Sequence, residues 1–396
     1  MDWATARNVV ERQVVRTAGP AGDQSARFAR HPQSVAMRQS STRREFLTQL
    51  AGVGAIALAP NVWPSRSYES REAKVPRPVQ TVLGPIDPAK LGFTLPHEHI
   101  FAGSAGILET WPALVGGRAA FRDRVVEKLK TMKAEGVDTI VDVTPSDIGR
   151  DIQFLEDVSR RSGVQIVACT GHWLNPSLTM AARTVDELAD FFRLEIEHGI
   201  DGTDIKPGVI KVATDREGVT PFLEKALRAA ARASKATGTP VTTHTYAVGR
   251  IGEKQAEIFE AEGLSPTSVC LGHSDETTDM DYLTGLARRG YTLGMDHNPQ
   301  GLRPPAAGLP SWQQRATTVK QMIDAGFTDK LFLSNDWYFG VTIAGTGAMD
   351  VMDKLNPDGM LFVTRKTIPY LEQLGVTDAQ IRAITVDNPR RFFSRA

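Results

Sequence analysis

Two patterns of apolar and polar positions alternate along residues 81–396. Short apolar runs typical of buried strands are each followed by a longer segment in which apolar residues recur every three or four positions, as on a half-buried helix. Strands that alternate with helices in this way form a parallel sheet or barrel. We predict strands near residues 91–95, 139–143, 165–169, 209–212, 241–243, 269–271, 291–294 and 331–333.

The helical segments carry start and stop signals. Thr220 before Pro221 is an N-cap followed by proline at the first helical position, and Gly238 ends that helix. Thr184 with Glu187 three residues later is typical of a capping box. Eight strands, each followed by a helix, predict an α/β fold of the (β/α)8 TIM barrel type, with the functional site at the C-terminal strand ends. The helices are predicted near 121–135, 151–162, 184–198, 221–236, 250–263, 279–289, 312–325 and 361–374.

The charge balance and the two cysteines exclude some functional and structural classes. The 46 Lys and Arg residues balance the 46 Asp and Glu residues, and residues 81–396 contain no basic cluster. Nucleic-acid binding therefore lacks its electrostatic footprint, and we expect no nucleic-acid partner. The two cysteines, Cys169 and Cys270, fall on the third and sixth predicted strands, which are not neighbours in a barrel. We expect buried thiols rather than a disulfide.

The first 80 residues have a different character. Arg43 and Arg44 precede the mildly apolar stretch 50–59, which is typical of a twin-arginine export signal and too short for a permanent membrane span. We therefore expect a periplasmic protein. The glycine-rich stretch 52–57 imitates a dinucleotide fingerprint, but no strand precedes it, so we expect no nucleotide cofactor. The predicted organisation is an upstream extension at 1–36, a signal and linker at 37–80 and the barrel at 81–396.

Side chains that bind metals stand where several predicted strands end. His97 and His99 close the first apolar run, and alternate residues of a strand point to one side, so both imidazoles are expected to face the same interior. Such a pair commonly binds a metal ion, although two unrelated strand-end histidines give the same spacing. Four of the eight histidines of the chain fall in this series, which favours a metal site. The later members of the series are Lys211, His244, His273 and Asp336.

Lys211 has two interpretations. At the end of a strand it is either a salt-bridged structural residue or a member of the site. An ammonium group cannot bind a metal ion and would repel one. A desolvated lysine, however, readily loses its proton, and the free amine can add carbon dioxide to form a carbamate whose two oxygens bridge two metals.

This set of residues resembles the bacterial phosphotriesterases, the aryldialkylphosphatases of the amidohydrolase superfamily. The resemblance rests on His97-x-His99, Lys211, His244, His273 and Asp336 in that order along a barrel. It covers roughly residues 80–394 and is carried by the stretches 92–100, 210–214, 240–245, 272–275, 334–337, 356–360 and 388–392.

The resemblance implies two divalent metal ions bridged by N6-carboxylysine at Lys211 and by a hydroxide. His97, His99 and Asp336 would hold the more buried ion, and His244 and His273 the more exposed one. Zinc is the favoured metal, with cobalt, iron and manganese as alternatives. In the family, the group equivalent to Asp336 takes the proton of the hydroxide and passes it outward. The partners in that transfer would be His297 and Glu276, the latter where the family usually has aspartate.

The predicted substrate pocket departs from the family pattern. Trp173 matches a family aromatic residue, but Leu174, Val341 and Ala344 stand where well-known members have aromatic rings. Loop residues set substrate choice on this fold, so the reaction class is better determined than the substrate. The full predicted pocket is Trp173, Leu174, Ile148, Tyr338, Val341 and Ala344.

The preferred function is metal-dependent hydrolysis of aryl dialkyl phosphates, small-molecule organophosphate triesters, by an enzyme we expect to be a homodimer. The closest alternative is a lactonase with promiscuous phosphotriesterase activity, because a metal-bound hydroxide also attacks a lactone carbonyl. Lactonases of this type usually carry arginine after the aspartate that follows strand seven. Here Asp296 is followed by His297, which favours the phosphotriesterase. A barrel that only binds or supports a partner is the third alternative, and absence of bound metal would favour it.

Overall fold

The structure, a computed structural model, describes residues 76–299, 308–342 and 348–394, apart from the side chains at 348, 350 and 351. It opens with an antiparallel hairpin of β1 (Val79–Thr81) and β2 (Gly84–Ile86). The hairpin packs on the barrel, where the backbone N–H of Val82 donates to the carbonyl oxygen of Ile166 at 2.9 Å. The predicted linker boundary at residue 81 therefore falls inside this hairpin. The predicted extension, the twin arginines and the apolar stretch 50–59 lie outside the described residues.

Eight parallel strands follow in chain order, each hydrogen-bonded to the next, and confirm the (β/α)8 barrel. The first strand differs from its prediction at 91–95, because it begins later and continues through both histidines. Polar residues can lie inside this first strand because their side chains contact other buried polar groups. The strands are β3 (Thr94–Ala102), β4 (Thr139–Asp142), β5 (Gln165–Gly171), β6 (Val209–Ala213), β7 (Val241–His244), β8 (Val269–Leu271), β9 (Thr292–Met295) and β10 (Leu331–Leu333).

A further strand, β11 (Tyr338–Val341), extends the sheet at the edge next to β3. It pairs in parallel with β3, with Tyr338 opposite His99. The turn that leads into it also binds β3: Asp336 N–H donates to the His97 carbonyl at 3.0 Å, and His99 N–H donates to the Trp337 carbonyl at 2.9 Å. The sequence predicted a pocket loop here, so this strand was missed.

Helices cover the outside of the barrel, and the predicted caps are present. The Thr220 side chain accepts from Leu223 N–H, Gly238 ends that helix in the left-handed conformation, and Thr184 forms its capping box with Glu187. The main helices are Arg118–Ala134, Ile152–Ser162, Val185–His198, Pro221–Thr237, Ile251–Ala261, Met280–Arg289 and Trp312–Asp324. Shorter helices are Ile107–Thr110, Leu178–Ala181, Ala348–Leu355, Ile368–Gln373, Asp378–Arg382 and Asn388–Phe393.

The helix predicted at 361–374 contains an irregular turn. A π-helical turn at Val363–Thr367 precedes the α-helical part Ile368–Gln373. Pro369 lacks an N–H, so it cannot make the usual helical hydrogen bond, and a widened turn accommodates it.

Apolar side chains fill the end of the barrel opposite the histidines. Val141, Val167 and Phe332 pack there in one cluster with both cysteines. Cys169 and Cys270 are free and buried, as predicted, and burial raises the pKa of both thiols. This packing leaves the C-terminal strand ends as the polar end of the interior. No helix in the described ranges is long and apolar enough to cross a membrane.

Candidate metal centre

The six predicted ligand residues lie together at the C-terminal end of the barrel. None of them is more than 7% exposed. His97 and His99 lie in β3, Lys211 in β6 and His244 at the end of β7. His273 and Asp336 follow β8 and β10, and both have left-handed backbones, with φ of 57° and 51°. Their individual roles as ligands stay predictions.

Two histidines and a carboxylate form the inner part of the site. Asp336 Oδ1 lies 3.1 Å from His99 Nε2 and 3.7 Å from His97 Nε2. One donor atom from each residue lies within 4.8 Å of the other two, a spacing that suits one metal ion. Burial raises the pKa of Asp336, but its contacts with His297 and His99 hold that pKa well below the usual value. The carboxylate is therefore ionised and available as a ligand.

The opposite ring nitrogens of these histidines contact groups outside the site. His99 Nδ1 lies 2.7 Å from Thr144 Oγ1, and His97 Nδ1 lies 2.9 Å from Asp296 Oδ2. Such outer contacts fix each ring with its Nε2 turned towards Asp336. Burial and the neighbouring Lys211 lower the pKa of His97 to about 4, so its ring is neutral at pH 7, the form that binds metals.

Asp296 serves both halves of the site and was not predicted as a site residue. Its second oxygen, Oδ1, lies 2.8 Å from His273 Nδ1 and accepts from the His273 backbone N–H at 2.7 Å. Burial raises the pKa of Asp296, but the facing His97 and His273 lower it well below the usual value. The sequence did contain a signal for this residue, because the apolar run of β9 ends directly at Asp296.

Lys211 is fully buried beside the inner histidines. Its Nζ lies 2.7 Å from His97 Nε2 and 5.6 Å from the centre of the Trp173 ring. Burial lowers the pKa of Lys211 to about 8. The neighbouring strand reaches it closely at Gly171, where a Cβ atom would collide with the Lys211 carbonyl oxygen. The ammonium has no carboxylate at hydrogen-bond distance among the described residues, which disfavours the salt-bridged interpretation.

The outer part of the site consists of His244 and His273. Their ring centroids lie 4.3 Å apart at 75°, and the Trp173 ring meets His244 edge-on at 4.8 Å. Burial lowers the pKa of His244 and lowers that of His273 well below its usual value. Both rings are therefore neutral and able to bind a metal ion.

A chain of acidic and basic groups leads outward from the inner site. Asp336 Oδ2 lies 3.0 Å from His297 Nε2, and His297 Nδ1 lies 3.2 Å from Glu276 Oε1. Burial lowers the pKa of His297, but these two carboxylates raise it to about 10. The three residues predicted to carry the proton are thus in contact in the predicted order.

Glu98 was also missed, although it lies between the two inner histidines in sequence. Its side chain is fully buried and accepts hydrogen bonds from Ser334 Oγ at 2.8 Å, from the backbone and side-chain amides of Asn335 at 2.9 and 2.8 Å, and from Trp337 N–H at 3.0 Å. Burial raises the pKa of Glu98 to about 8, and the hydrogen bonds oppose that rise. Glu98 fixes the turn that carries Asp336.

The predicted pocket residues differ in their contacts and in their burial. Asp147 accepts Trp173 N–H on both oxygens at 3.2 Å, and His172 Nδ1 lies 3.0 Å from the Trp173 carbonyl, so the backbone of this aromatic residue is held on both sides. Tyr338 stacks on His99 at 4.7 Å with an interplanar angle of 4°. Leu174 is half-buried against the apolar core.

Of the other three predicted pocket residues, the structure describes two. Ile148 is buried with 8% exposure. Val341 is buried and lines a cavity of about 410 Å³ against the helix Arg118–Ala134, and no predicted metal ligand is among the described residues around it. Ala344 lies outside the described residues, as do 300–305 of the loop after β9.

The donor set fits divalent metal ions. Neutral imidazole nitrogens and an ionised carboxylate are the ligands that zinc and related ions bind in enzymes, and outer contacts direct the nitrogens inward. The three donor groups that can hold an ion within the described ranges all include residues of this centre. These groups are His97, His99 and Asp336; His97, His273 and Asp296; and His273, His297 and Asp336.

Comparison with known proteins finds relatives whose names describe hydrolases. The sequence model of the phosphotriesterase family matches residues 77–393. A phosphotriesterase homology protein of Mycobacterium tuberculosis is 37% identical over 335 residues, which cover 80% of this chain and 98% of the relative. An aryldialkylphosphatase of Saccharolobus solfataricus is 36% identical over 312 residues, with 78% and 97% covered. An N-acetyltaurine hydrolase of Danio rerio is 26% identical over 349 residues, with 80% and 97% covered.

Proposed function

The chain belongs to the phosphotriesterase family of hydrolases, and from that premise we propose that it hydrolyses aryl dialkyl phosphates with two divalent metal ions. The observation that carries the proposal is the contact of Asp336 with both the inner histidines and His297. The Asp336 carboxylate thereby connects the predicted metal ligands to His297, which can carry a proton away from the site. That combination suits hydrolysis by an activated water molecule.

The inner ion would be held by His97, His99 and Asp336, and the outer ion by His244 and His273. Lys211 would bridge them as a carbamate. The support for this is its burial, its lowered pKa and the 2.7 Å contact of its Nζ with His97 Nε2. Zinc is the metal favoured by these ligands, and cobalt, iron and manganese suit the same set. When bound, two such ions lower the pKa of a shared water and polarise the phosphoryl oxygen.

The protein's own groups would then carry the proton away from the reacting centre. Asp336 accepts it on the carboxylate, and its Oδ2 lies 3.0 Å from His297 Nε2. His297 passes a proton from Nδ1 to Glu276, whose Oε1 lies 3.2 Å away. Trp173 and Tyr338 would provide flat apolar surface beside the ligands for the organic groups of the triester.

The lactonase is the alternative to be separated by experiment. We expect purified protein of measured metal content to hydrolyse an aryl dialkyl phosphate with a higher kcat/KM than several lactones. N-Acetyltaurine belongs in the same assay because a relative's name includes its hydrolysis. Asp336→Asn is the inactive control. A clear preference for lactones would favour the alternative, and no hydrolysis of any ester by protein with two ions bound would refute the proposal.

Location and assembly are also proposed. The twin arginines Arg43 and Arg44 support export to the periplasm. We also propose a homodimer, for which the exposed apolar side chains of Trp111 (60% exposed) and Leu178 (98% exposed) are candidate contacts. Analytical ultracentrifugation of the metal-loaded protein tests the dimer, and a monomeric mass at micromolar concentration would refute it.

A further inference from the structure

Gln255 is a buried polar side chain to which the proposed chemistry assigns no role. It lies on the helix Ile251–Ala261, which follows β7, and it has no exposed surface. Its neighbours Ala256, Ile258 and Phe259 are buried apolar residues of the same helix. A buried amide costs free energy unless its donors and its acceptor are hydrogen-bonded. The side-chain hydrogen bonds of Gln255 all go to the ends of β6 and β7.

The amide nitrogen of Gln255 contacts both strand ends. Nε2 donates to the His244 carbonyl at 2.9 Å and to Thr214 Oγ1 at 2.7 Å. Thr214 directly follows β6, three residues after Lys211, and its own N–H donates to the same His244 carbonyl at 3.0 Å. This carbonyl therefore accepts two hydrogen bonds, one from the neighbouring strand end and one from the helix.

The amide oxygen of Gln255 is hydrogen-bonded as well. Oε1 accepts from Thr245 Oγ1 at 2.8 Å, and that hydroxyl lies 2.9 Å from Thr243 Oγ1. Exchanging the amide oxygen and nitrogen would place one acceptor against another at the His244 carbonyl, so the network favours the orientation described. The residues before and after His244, together with its own carbonyl, thus belong to one buried hydrogen-bond network.

The two strand ends that Gln255 contacts carry two of the predicted site residues. In the pairing of β6 with β7, Lys211 lies opposite Thr242 and Ala213 opposite His244. Lys211 is the proposed bridge and His244 a proposed ligand of the outer ion. Distances between a metal and its ligands vary by only about 0.2 Å, so the spacing of these strand ends has to be fixed closely. Backbone pairing and the amide of Gln255 act together at this point.

We infer that Gln255 is a positioning residue for the outer metal ion. It holds the end of β7, and with it His244, at a fixed spacing from the end of β6. The inference rests on the proposed two-ion site. Gln255 acts through the His244 carbonyl and the Thr214 hydroxyl, and the proposed ligands of the inner ion lie on other strand ends. Loss of its amide should therefore weaken the outer ion more than the inner one.

The test is metal binding by the full-length Gln255→Met protein, independent of activity. Methionine is close to glutamine in length but has no amide, so the His244 carbonyl and the Thr214 hydroxyl each lose a donor. Metal-free protein in bicarbonate buffer is titrated with cobalt(II) against a chromophoric chelator, and the visible spectrum is recorded for each ion bound. The outer ion is expected to be the more weakly bound, because no carboxylate side chain is proposed for it. We expect it to lose about tenfold in affinity and to change its spectrum, with the inner ion within about twofold of the unaltered protein.

Phe259→Leu is the matched control. Phe259 is also fully buried and lies one turn further along the same helix, but its side chain is apolar and makes no hydrogen bond to either strand end. This variant should lower the melting temperature by removing core packing. It should leave both cobalt affinities and both spectra unchanged, which separates general destabilisation from the loss of the Gln255 amide.

The outcomes separate the possible failures. Unchanged affinities in Gln255→Met, or equal loss of both ions, would overturn the inference while leaving the two-ion site intact. An equal effect of Phe259→Leu would also overturn it, because the cause would then be general loosening of the helix. Binding of fewer than two ions by the unaltered protein would instead refute the proposed function. Circular dichroism melting identifies a misfolded variant, and Gln255→Asn, whose amide is one methylene too short for the same contacts, then takes the place of Gln255→Met.

Discussion

Asp296→Asn is a sharp test of how the ligand histidines are oriented. In the folded protein one oxygen of Asp296 faces His97 Nδ1, and the other faces both Nδ1 and the backbone N–H of His273. Asparagine has only one acceptor oxygen, and its NH2 group donates. The variant must therefore place a donor against one of the two histidines.

The structure predicts which histidine loses its contact. If the amide oxygen stays with His273, it keeps two contacts, whereas staying with His97 keeps only one. We expect the first arrangement, in which the NH2 group faces His97 Nδ1. His97 must then carry its proton on Nε2, where it can no longer bind an ion. Outer contacts of this kind contribute about 10- to 100-fold to metal affinity, or roughly 1.4–2.7 kcal/mol.

The assay is a chelator-competition titration of the two ions in Asp296→Asn and in the unaltered protein. The inner ion should lose affinity by about 10- to 100-fold, and the outer ion should lose less. Unchanged inner affinity, or a loss confined to the outer ion, would refute the argument that Asp296 sets the tautomer of His97.

The further predictions concern the bridge, export and the pocket. Lys211→Ala should lose most bound metal and activity, and added short carboxylates should restore part of both; full occupancy in the variant excludes the carbamate. Since the pKa of Lys211 is lowered to about 8, the free amine increases as pH rises through 8, and metal-free protein should be reactivated by metal and bicarbonate faster above that pH than below it. Changing Arg43 and Arg44 to lysine should leave the protein in the cytoplasm on cell fractionation, and periplasmic accumulation would count against the twin-arginine route. Leu174→Phe should lower KM for an aryl dialkyl phosphate more than it changes kcat, because aromatic pairs contribute about 0.5–1.5 kcal/mol beyond area burial. Val341→Phe, at a buried position, tests the alternative pocket position, and an unchanged or higher KM in both variants would exclude them from the leaving-group side.

The barrel was predictable because its strands and helices are local patterns. Apolar runs marked seven strands well, and cap residues such as Thr184 and Thr220 marked helix starts. The first strand was misjudged because His97 and Glu98 interrupt its apolar run, and only their buried partners in distant segments make a strand there possible. The strand Tyr338–Val341 was missed for a related reason, since its pairing with β3 links positions far apart along the chain.

The candidate site was predictable where a ligand residue ends a strand. Asp296 follows its strand in the same way, yet its side chain acts through two histidines, and that contact is visible only in three dimensions. Asp215, whose Oδ1 lies 3.8 Å from His244 Nε2, follows its strand in a turn, where no periodic pattern distinguishes a carboxylate beside the site from a solvated one. Its distance to His244 depends on how two neighbouring strand ends meet.

The contacts of Glu98 with the turn before β11 have a consequence for biosynthesis. Ser334 is 237 residues from His97 along the chain, and the ribosome adds about 5–20 residues per second, so the inner histidines wait roughly 10–50 s for their carboxylate partner. Until then a nascent chain offers an incoming ion two imidazoles and no Asp336. The proposed inner site would therefore be complete only late in synthesis. If the protein is exported already folded, the ions it carries are those available in the cytoplasm, whatever the metal content of the compartment in which it works.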